Sequence, residues 1–128
     1  MARKNHGSKW IRPEKRKRIY TRDDHTCVYC GHSIYEDANM VLTLDHVVAV
    51  ELGGSNAHTN LVTACLSCNS SKQHKTVPQF IVFLSDQGIA SKNIRKRVRN
   101  ATRRVLPKIE SKKTNCQVSN LAKNETGE

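Results

Sequence analysis

Two Cys-x-x-Cys pairs, Cys27/Cys30 and Cys65/Cys68, constrain the fold of this chain more than any other feature. Together they offer four thiolates, which is the ligand set of a tetrahedral structural zinc site. The segment 31–64 between the pairs must therefore leave the site and return to it. A redox role is disfavoured because no strand–helix–strand pattern surrounds either pair. The sequence thus predicts a small domain held together by zinc.

The composition agrees with a small core that needs such a metal. Aromatic residues make up 5% of the chain, and a core this lean is rarely stable without a metal or disulfides. The N-terminus lacks the apolar segment of a secretory signal, and no run is long and apolar enough to cross a membrane. We therefore expect a cytoplasmic protein with reduced cysteines. Cys116 lies outside both pairs and is expected to be a free thiol.

The net charge of +11 is unevenly distributed along the chain. Basic residues concentrate in 1–18 and 92–113, whereas acidic residues outnumber basic ones between these two segments. Basic segments of this kind bind polyanions, because each neutralised phosphate releases condensed counterions. The alternative is a pair of solvated tails, which we accept for 1–8 but not for 9–18 or 92–106.

The middle of the chain has the pattern of an α+β core. Pro13 with Glu14 behind it is typical of a helix start, and a β-branched run that contains Asp45 and His46 predicts a strand. The predicted order is a helix over 13–22, a strand over 40–50, a loop with Gly53 and Gly54, a short strand over 61–65 and a helix that begins at 66.

Two further helices are predicted after this core. The first is capped by Thr76 and stopped by Gly88. The second begins after Ser91 and ends at Pro107, because apolar residues recur there at helical spacing. These apolar residues are Ile94, Val98, Ala101 and Val105. The polar, patternless tail 110–128 is expected to be disordered.

The run LDHVVAVELGGSNAHTNLVTACLSCNSSK joins the acidic and histidine pair to the second cysteine pair. Over 9–76 the chain resembles the HNH endonuclease family, in the zinc-bearing four-cysteine form of small bacterial and phage members. The resemblance implies a ββα-metal (His-Me finger) core, flanked by an N-terminal helix and, over 77–109, a basic helical extension. The positions that correspond to the family motif are Asp45, His46, Asn60 and Asn69, the last standing where the family usually has His.

The resemblance also implies roles for these residues. His46 is the general base, and its intrinsic pKa suits that task. Asp45 and Asn69 bind a catalytic divalent cation, for which Mg²⁺ (or Mn²⁺) suits the oxygen ligands. Asn60 braces the loop and orients His46 through its carbonyl oxygen. Since adjacent strand residues point to opposite faces, we expect a distortion or a strand end at Asp45 and His46.

Further residues are predicted to contact DNA or to stay in solvent. A helical 69–74 would place His74 about 140° from Asn69, which makes it a poor co-ligand. Glu51 is interpreted first as a surface residue of the loop and second as an outer-shell carboxylate of the site. The predicted DNA contacts are Lys72, Arg95, Lys96, Arg97, Arg99, Arg103 and Arg104.

The sequence therefore predicts a metal-dependent DNA endonuclease of low sequence specificity in a bacterial or phage-infected cell. The alternative is a zinc-stabilised nucleic-acid-binding module that does not cut, or a phage packaging accessory that acts with a terminase. The binding-module hypothesis leaves the four motif positions unexplained. No apolar stripe indicates a dimer interface, so a nicking monomer is favoured over a dimer.

Overall fold

The computed structural model describes residues 11–108. Within them, four helices surround a two-stranded antiparallel sheet. The predictions for the segments 1–8 and 110–128 and for Cys116 lie outside the described residues. The elements are α1 (Pro13–Arg22), β1 (Leu42–His46), β2 (Leu61–Cys65), α2 (Leu66–Lys72), α3 (Val77–Asp86) and α4 (Ile94–Arg103), with 3₁₀ turns at Val50–Leu52 and His58–Asn60.

The sheet and α2 form the predicted strand, loop, strand and helix. The strands pair in regular register from Leu42 opposite Cys65 to His46 opposite Leu61. Every residue of β2 is buried, because α1, α4 and the first cysteine loop also pack near it. The predicted strand over 40–50 was too long, since the chain leaves the sheet after His46.

Helix α1 has the predicted bounds and is fixed to β2 by one apolar and one ionic anchor. Ile19 is fully buried. At the helix end, Arg22 and Asp23 form a buried bidentate pair, at 2.8 and 3.0 Å. The Asp23 carboxylate also accepts from the backbone N–H of Thr63, at 2.9 Å. A buried charge needs partners of this kind, so the pair ties α1 to the sheet.

The C-terminal helices close the core on the other side of the sheet. Helix α3 begins with the predicted Thr76 cap, in a capping box completed by Gln79. Its Phe80 packs edge-on against the ring of Tyr29, with centroids 5.3 Å apart. Helix α4 buries Ile94, Val98 and Ala101 as predicted. The prediction for Val105 was wrong, because α4 ends at Arg103 and Val105 is 87% exposed.

The first cysteine pair lies in a small hairpin that is attached to the sheet. Thr26 and Ser33 form an isolated bridge that closes the hairpin, and the N–H of Val28 donates to the carbonyl oxygen of Thr63. Gly31 follows the pair with φ of +80°, a conformation that favours glycine. The α+β fold class, with the four cysteines gathered against the sheet, is confirmed. No helix in the described part of the chain has the length and apolarity needed to cross a membrane.

Candidate active site

The four cysteines of the two pairs converge on one point. Their sulfur atoms all lie within 4.8 Å of one another, and the sulfurs of Cys30 and Cys65 are 4.0 Å apart. Zinc–thiolate bonds of about 2.3 Å in a tetrahedron require sulfurs at about this separation. The backbone N–H groups of Cys30 and Cys68 point at the sulfurs of Cys27 and Cys65, at 3.5 and 3.4 Å. The cluster therefore has the composition and geometry of a structural zinc site.

The electrostatics of the cluster favour a bound cation. Hydrogen bonds from Cys27 and Cys68 lower the pKa of Cys30 to about 3. The pKa of Cys68 is raised, because it donates to Cys27 and Cys30 and is partly buried among them. One thiolate is thus stabilised at the expense of the others, and four thiolates together require a positive ion to neutralise them.

Arg97 supports this cluster from α4, which corrects its predicted role as a DNA contact. Its guanidinium donates to the carbonyl oxygens of Val28 and Tyr29, at 2.7 and 2.9 Å. A side chain on Gly31 would come within 3.4 Å of the same guanidinium. The side chain is therefore committed to the backbone of the first cysteine pair.

A second site, a cavity of about 270 Å³, opens where β1 ends. Asp45, His46 and Asn69 all line it. The predicted strand end is confirmed, because β1 stops at His46. Helix α2 brings Asn69 to the cavity because the second cysteine pair fixes its first turn against β1. The structure thus brings together three of the four motif residues predicted from the sequence.

Asp45 is buried and already bonded by the protein. One of its oxygens accepts from the hydroxyl of Tyr29 at 2.5 Å and lies 3.1 Å from the ammonium of Lys72. Burial raises the pKa of Asp45, although Tyr29 and Lys72 both favour the carboxylate. The pKa of Tyr29 is also raised, by burial and by the negative charge of Asp45. Tyr29 was not predicted as a site residue, because nothing in Cys-x-x-Cys spacing marks the second residue between the cysteines as a carboxylate partner.

Lys72 is fully buried, so the prediction that it contacts DNA was wrong. Besides Asp45, its ammonium donates to the carbonyl oxygens of His46 and Val47, at 3.1 and 3.5 Å. These three acceptors match the three N–H donors of a lysine. Lys72 therefore fixes the end of β1 from beneath the cavity.

Asn69 is held by its amide nitrogen. That nitrogen donates to the hydroxyl of Thr43 at 2.8 Å and to the carbonyl oxygen of Leu44 at 3.1 Å. Because the nitrogen is bonded to β1, the amide oxygen is the atom suited to a ligand in the cavity.

His46 is oriented by a residue that was not predicted. Its Nε2 lies 2.9 Å from the side-chain oxygen of Asn56, and the backbone oxygen of Asn56 accepts from Lys15 on α1 at 2.6 Å. Asn60 braces the loop as expected, through bonds to both backbone groups of Val48. Its side-chain oxygen accepts from the Val48 N–H, and the predicted role of that oxygen in orienting His46 stays a prediction.

The loop between His46 and Asn60 is tightly folded at Gly54. A β-carbon at this position would lie 1.7 Å from the carbonyl oxygen of Val48 and 2.9 Å from the side-chain nitrogen of Asn60. Glycine is therefore required here by close approach, whereas its neighbour Gly53 has a positive φ of 96°. Both glycines therefore allow the tight backbone conformation of the loop that carries Asn56.

His74 lines the cavity, against the expectation from helical spacing. Helix α2 ends at Lys72, and Gln73 has φ of 53°, which turns the chain back toward the opening. There the His74 imidazole lies 3.2 Å from the carboxylate of Glu51. Glu51 is exposed, as predicted, and its side chain forms the mouth of the cavity together with His74.

The donor set of the cavity fits a hard divalent cation. Asp45 offers a carboxylate and Asn69 an amide oxygen, with room in the opening for water and a substrate phosphate. Mg²⁺ is bound in this way, by one or two carboxylates and by substrate oxygens. The softer sulfur ligands of the cysteine cluster are suited to zinc instead.

Comparison with known proteins identifies the family. A family model described as HNH endonuclease matches residues 27–84. Among solved structures, the chain is similar to the Type II-C Cas9 enzyme from Actinomyces naeslundii, with 23% identity and a TM-score of 0.38. That similarity covers 74% of this chain and 11% of the length of the Cas9 enzyme. No curated protein matches. Residues 27–84, which hold both the cysteine cluster and the cavity, therefore form a domain of the HNH endonuclease family.

Proposed function

We propose that this protein is a metal-dependent endonuclease that hydrolyses DNA phosphodiester bonds. The observation that carries the proposal is the cavity itself, where an imidazole, a carboxylate and an amide oxygen lie at the end of one strand in an HNH domain. Phosphodiester hydrolysis needs a base near neutral pH and a group that neutralises phosphate charge, and these residues supply both.

The residues of the cavity divide the reaction between them. His46 accepts a proton from water, and the resulting hydroxide oxygen attacks phosphorus on the side opposite the leaving group. The bond from phosphorus to the 3′-oxygen breaks, and that oxygen takes a proton from solvent to leave 5′-phosphate and 3′-hydroxyl ends. Asp45 and Asn69 would bind Mg²⁺ or Mn²⁺, which when present neutralises charge on the scissile phosphate. Asn56 holds the imidazole in position for the proton transfer.

Exposed arginines and lysines would hold the DNA backbone. Five predicted contacts are exposed on or just after α4 and are proposed as phosphate contacts: Arg95, Lys96, Arg99, Arg103 and Arg104. Such contacts position the duplex without reading bases, so we expect low sequence specificity and binding that weakens steeply with salt. A single active site cuts one strand at a time, and a monomer is expected to nick. A structural zinc ion is proposed for the cysteine cluster.

Cleavage of supercoiled plasmid tests the proposal. The wild type is compared with His46→Ala in Mg²⁺, in Mn²⁺ and in EDTA. We expect metal-dependent nicking that falls by about 10²–10⁴ in the variant, the usual contribution of a general base. His32→Ala removes a histidine with a 67% exposed side chain from the cysteine hairpin and is expected to cut normally.

Zinc content and thermal unfolding are measured for each variant, so that a lost fold is not read as a lost base. Cutting that survives in His46→Ala would refute the role of His46. DNA binding without cutting in either metal would favour the binding-module alternative. Stimulation of a weak enzyme by a terminase would favour the packaging accessory.

A further inference from the structure

A second cleft, of about 540 Å³, lies outside the catalytic cavity. Its walls come from α1, from the turn His58–Asn60 and from the end of α4. The polar residues that line it are Arg18, His58, Thr59, Thr102, Arg103 and Arg104. No carboxylate lines the cleft within residues 11–108, so three guanidinium charges face one space without a neutralising group.

Two of these arginines are fixed in place by neutral acceptors. The Nε of Arg18 donates to the carbonyl oxygen of Pro107 at 2.7 Å, and Arg104 donates to the carbonyl oxygen of Arg22 at 3.3 Å. Each bond uses one of the five N–H donors of a guanidinium. Neither arginine, nor Arg103, forms an ion pair with a carboxylate in the described segment. Arg18 and Arg104 are therefore held in position without an ion-pair partner in the described segment.

His58 adds a second, independent sign that a ligand belongs here. Its Nδ1 is buried and has no hydrogen-bond partner. A buried polar atom without a partner costs free energy, and the ring itself lines the cleft. Because Nδ1 has no partner, a rotation of the imidazole that turns Nδ1 toward the cleft would break no hydrogen bond at that atom. An anion with hydrogen-bond acceptors would thus find a nitrogen donor beside the arginines and the two threonine hydroxyls.

We propose that this cleft binds one backbone phosphate of the DNA, at a distance from the phosphate that is cut. The identity of the polyanion rests on the proposed function. The cleft and the cavity share one turn, because His58 and Thr59 line the cleft and the next residue, Asn60, braces the catalytic loop. A phosphate in the cleft fixes how the duplex crosses the enzyme, since guanidinium groups and hydroxyls recognise phosphate in a defined orientation.

The experiment measures DNA binding in buffer without Mg²⁺ or Mn²⁺ and without a chelator, so that no cutting is expected and the cysteine cluster keeps its zinc. Affinity of the full chain for a 20-base-pair duplex is measured over a range of salt for wild type, Arg18→Ala/Arg103→Ala and the control Lys75→Ala/Lys108→Ala. The control removes the same charge from two lysines that lie outside the cleft and outside the basic segments 9–18 and 92–106. We expect the cleft variant to lower the slope of log K against log salt by about 0.9, as for one lost phosphate, and the control to change it by less. Equal slopes in the two variants would overturn the proposal.

Two further measurements keep the test decisive. Arg103→Ala alone is included because Arg103 is exposed, whereas Arg18 also anchors the backbone at Pro107; it is expected to lower the slope in the same direction. The ring resonances of His58 are followed by NMR as inorganic phosphate is added, with chloride at equal ionic strength as the control. A shift with phosphate, absent in the double variant, supports the site.

A shift with both anions would overturn phosphate recognition, and a shift with phosphate without any effect on the DNA slope would overturn its assignment to DNA. If the protein never cuts DNA but the cleft variant still lowers the slope of log K against log salt, the phosphate site in the cleft is supported and the proposed nuclease function is refuted. The two proposals can therefore fail separately.

Discussion

The cysteine cluster and the catalytic cavity lie at opposite ends of the same two strands, and they are built in opposite ways. The four sulfurs have mainly one another and backbone N–H groups as partners. Asp45, by contrast, is bonded by a phenol and an ammonium from the protein itself. A cluster of thiolates needs an external cation to be stable, whereas the carboxylate in the cavity already has an internal one. The fold should therefore depend on zinc and not on the catalytic metal.

The largest effect is expected from breaking the cysteine cluster. Cys65→Ser removes a buried ligand, and structural zinc contributes on the order of 10 kcal/mol of folding free energy in small zinc domains. We expect substoichiometric zinc and no cooperative thermal unfolding, measured by metal analysis and near-ultraviolet circular dichroism. Cys116→Ser serves as the matched control and should keep one zinc per chain. A fully folded, zinc-replete Cys65→Ser protein would show that the cluster is not the folding site.

The second-largest loss of stability is expected from removing Lys72, whose ammonium is the cation beside Asp45. Lys72→Met leaves Asp45 buried without its ionic partner, which costs about 3–5 kcal/mol of unfolding free energy. Adding Asp45→Asn should recover part of this loss, because the uncompensated charge is removed as well. Urea unfolding of the two single variants and the double variant measures the coupling. Lys92→Met, at an exposed position, should stay within about 0.5 kcal/mol of wild type. Additive losses would mean that the pair is not coupled.

Tyr29→Phe removes the phenol hydroxyl that bonds Asp45 and leaves the Lys72 ammonium in place, so it measures the contribution of the hydroxyl alone. A hydrogen bond to a charged group contributes about 1.5–3 kcal/mol, so we expect a loss in that range, smaller than for Lys72→Met. The ring remains and keeps its packing against Phe80. Tyr35→Phe removes the hydroxyl of a tyrosine that is 69% exposed and should leave the unfolding free energy unchanged. If the unfolding free energy fell as much as in Lys72→Met, the Tyr29 hydroxyl would stabilise Asp45 as strongly as the Lys72 ammonium does, contrary to this prediction.

The smallest effect on stability, and the one specific to catalysis, is expected at Asn56. Asn56→Ala removes the bond to His46 Nε2, and loss of an orienting partner typically lowers activity by about 10–100-fold. Steady-state cleavage of a labelled duplex should show a lower kcat with little change in KM. Asn93→Ala is the control, because the Asn93 side chain makes no cap bond at α4. An unchanged kcat would show that Asn56 does not orient the base.

Much of this arrangement could be predicted where local chemistry decides the structure. Helix α1 has its predicted bounds because Pro13 begins it, and the Thr76 capping box begins α3 where expected. The spacing of the cysteines identified all four members of the cluster, because tetrahedral sulfur sites recur with such pairs. The predicted strand end at His46 followed from the alternation of side chains along a strand.

The remaining features depend on contacts between distant segments. A lysine is normally exposed, and Lys72 is buried because acceptors from β1 surround its ammonium. His74 reaches the cavity because α2 ends two residues earlier, at a left-handed Gln73. Asn56 and Asn60 are the same residue type in one loop, and their division of roles follows from the fold of the loop around Gly54. No sequence pattern distinguishes these outcomes.

Tyr29 connects the end of β1 to α4, and this has a consequence for timing during synthesis. Its hydroxyl holds Asp45, while its carbonyl oxygen is held by Arg97. Domains begin to fold while the ribosome is still extending the chain, and α4 is the last of the described helices to emerge. Every residue of the cavity has then been made before the arginine that secures Tyr29. A nascent chain paused before residue 94 would therefore contain every residue of the cavity without the arginine that holds Tyr29, and the support of Asp45 would be completed only after α4 has been made.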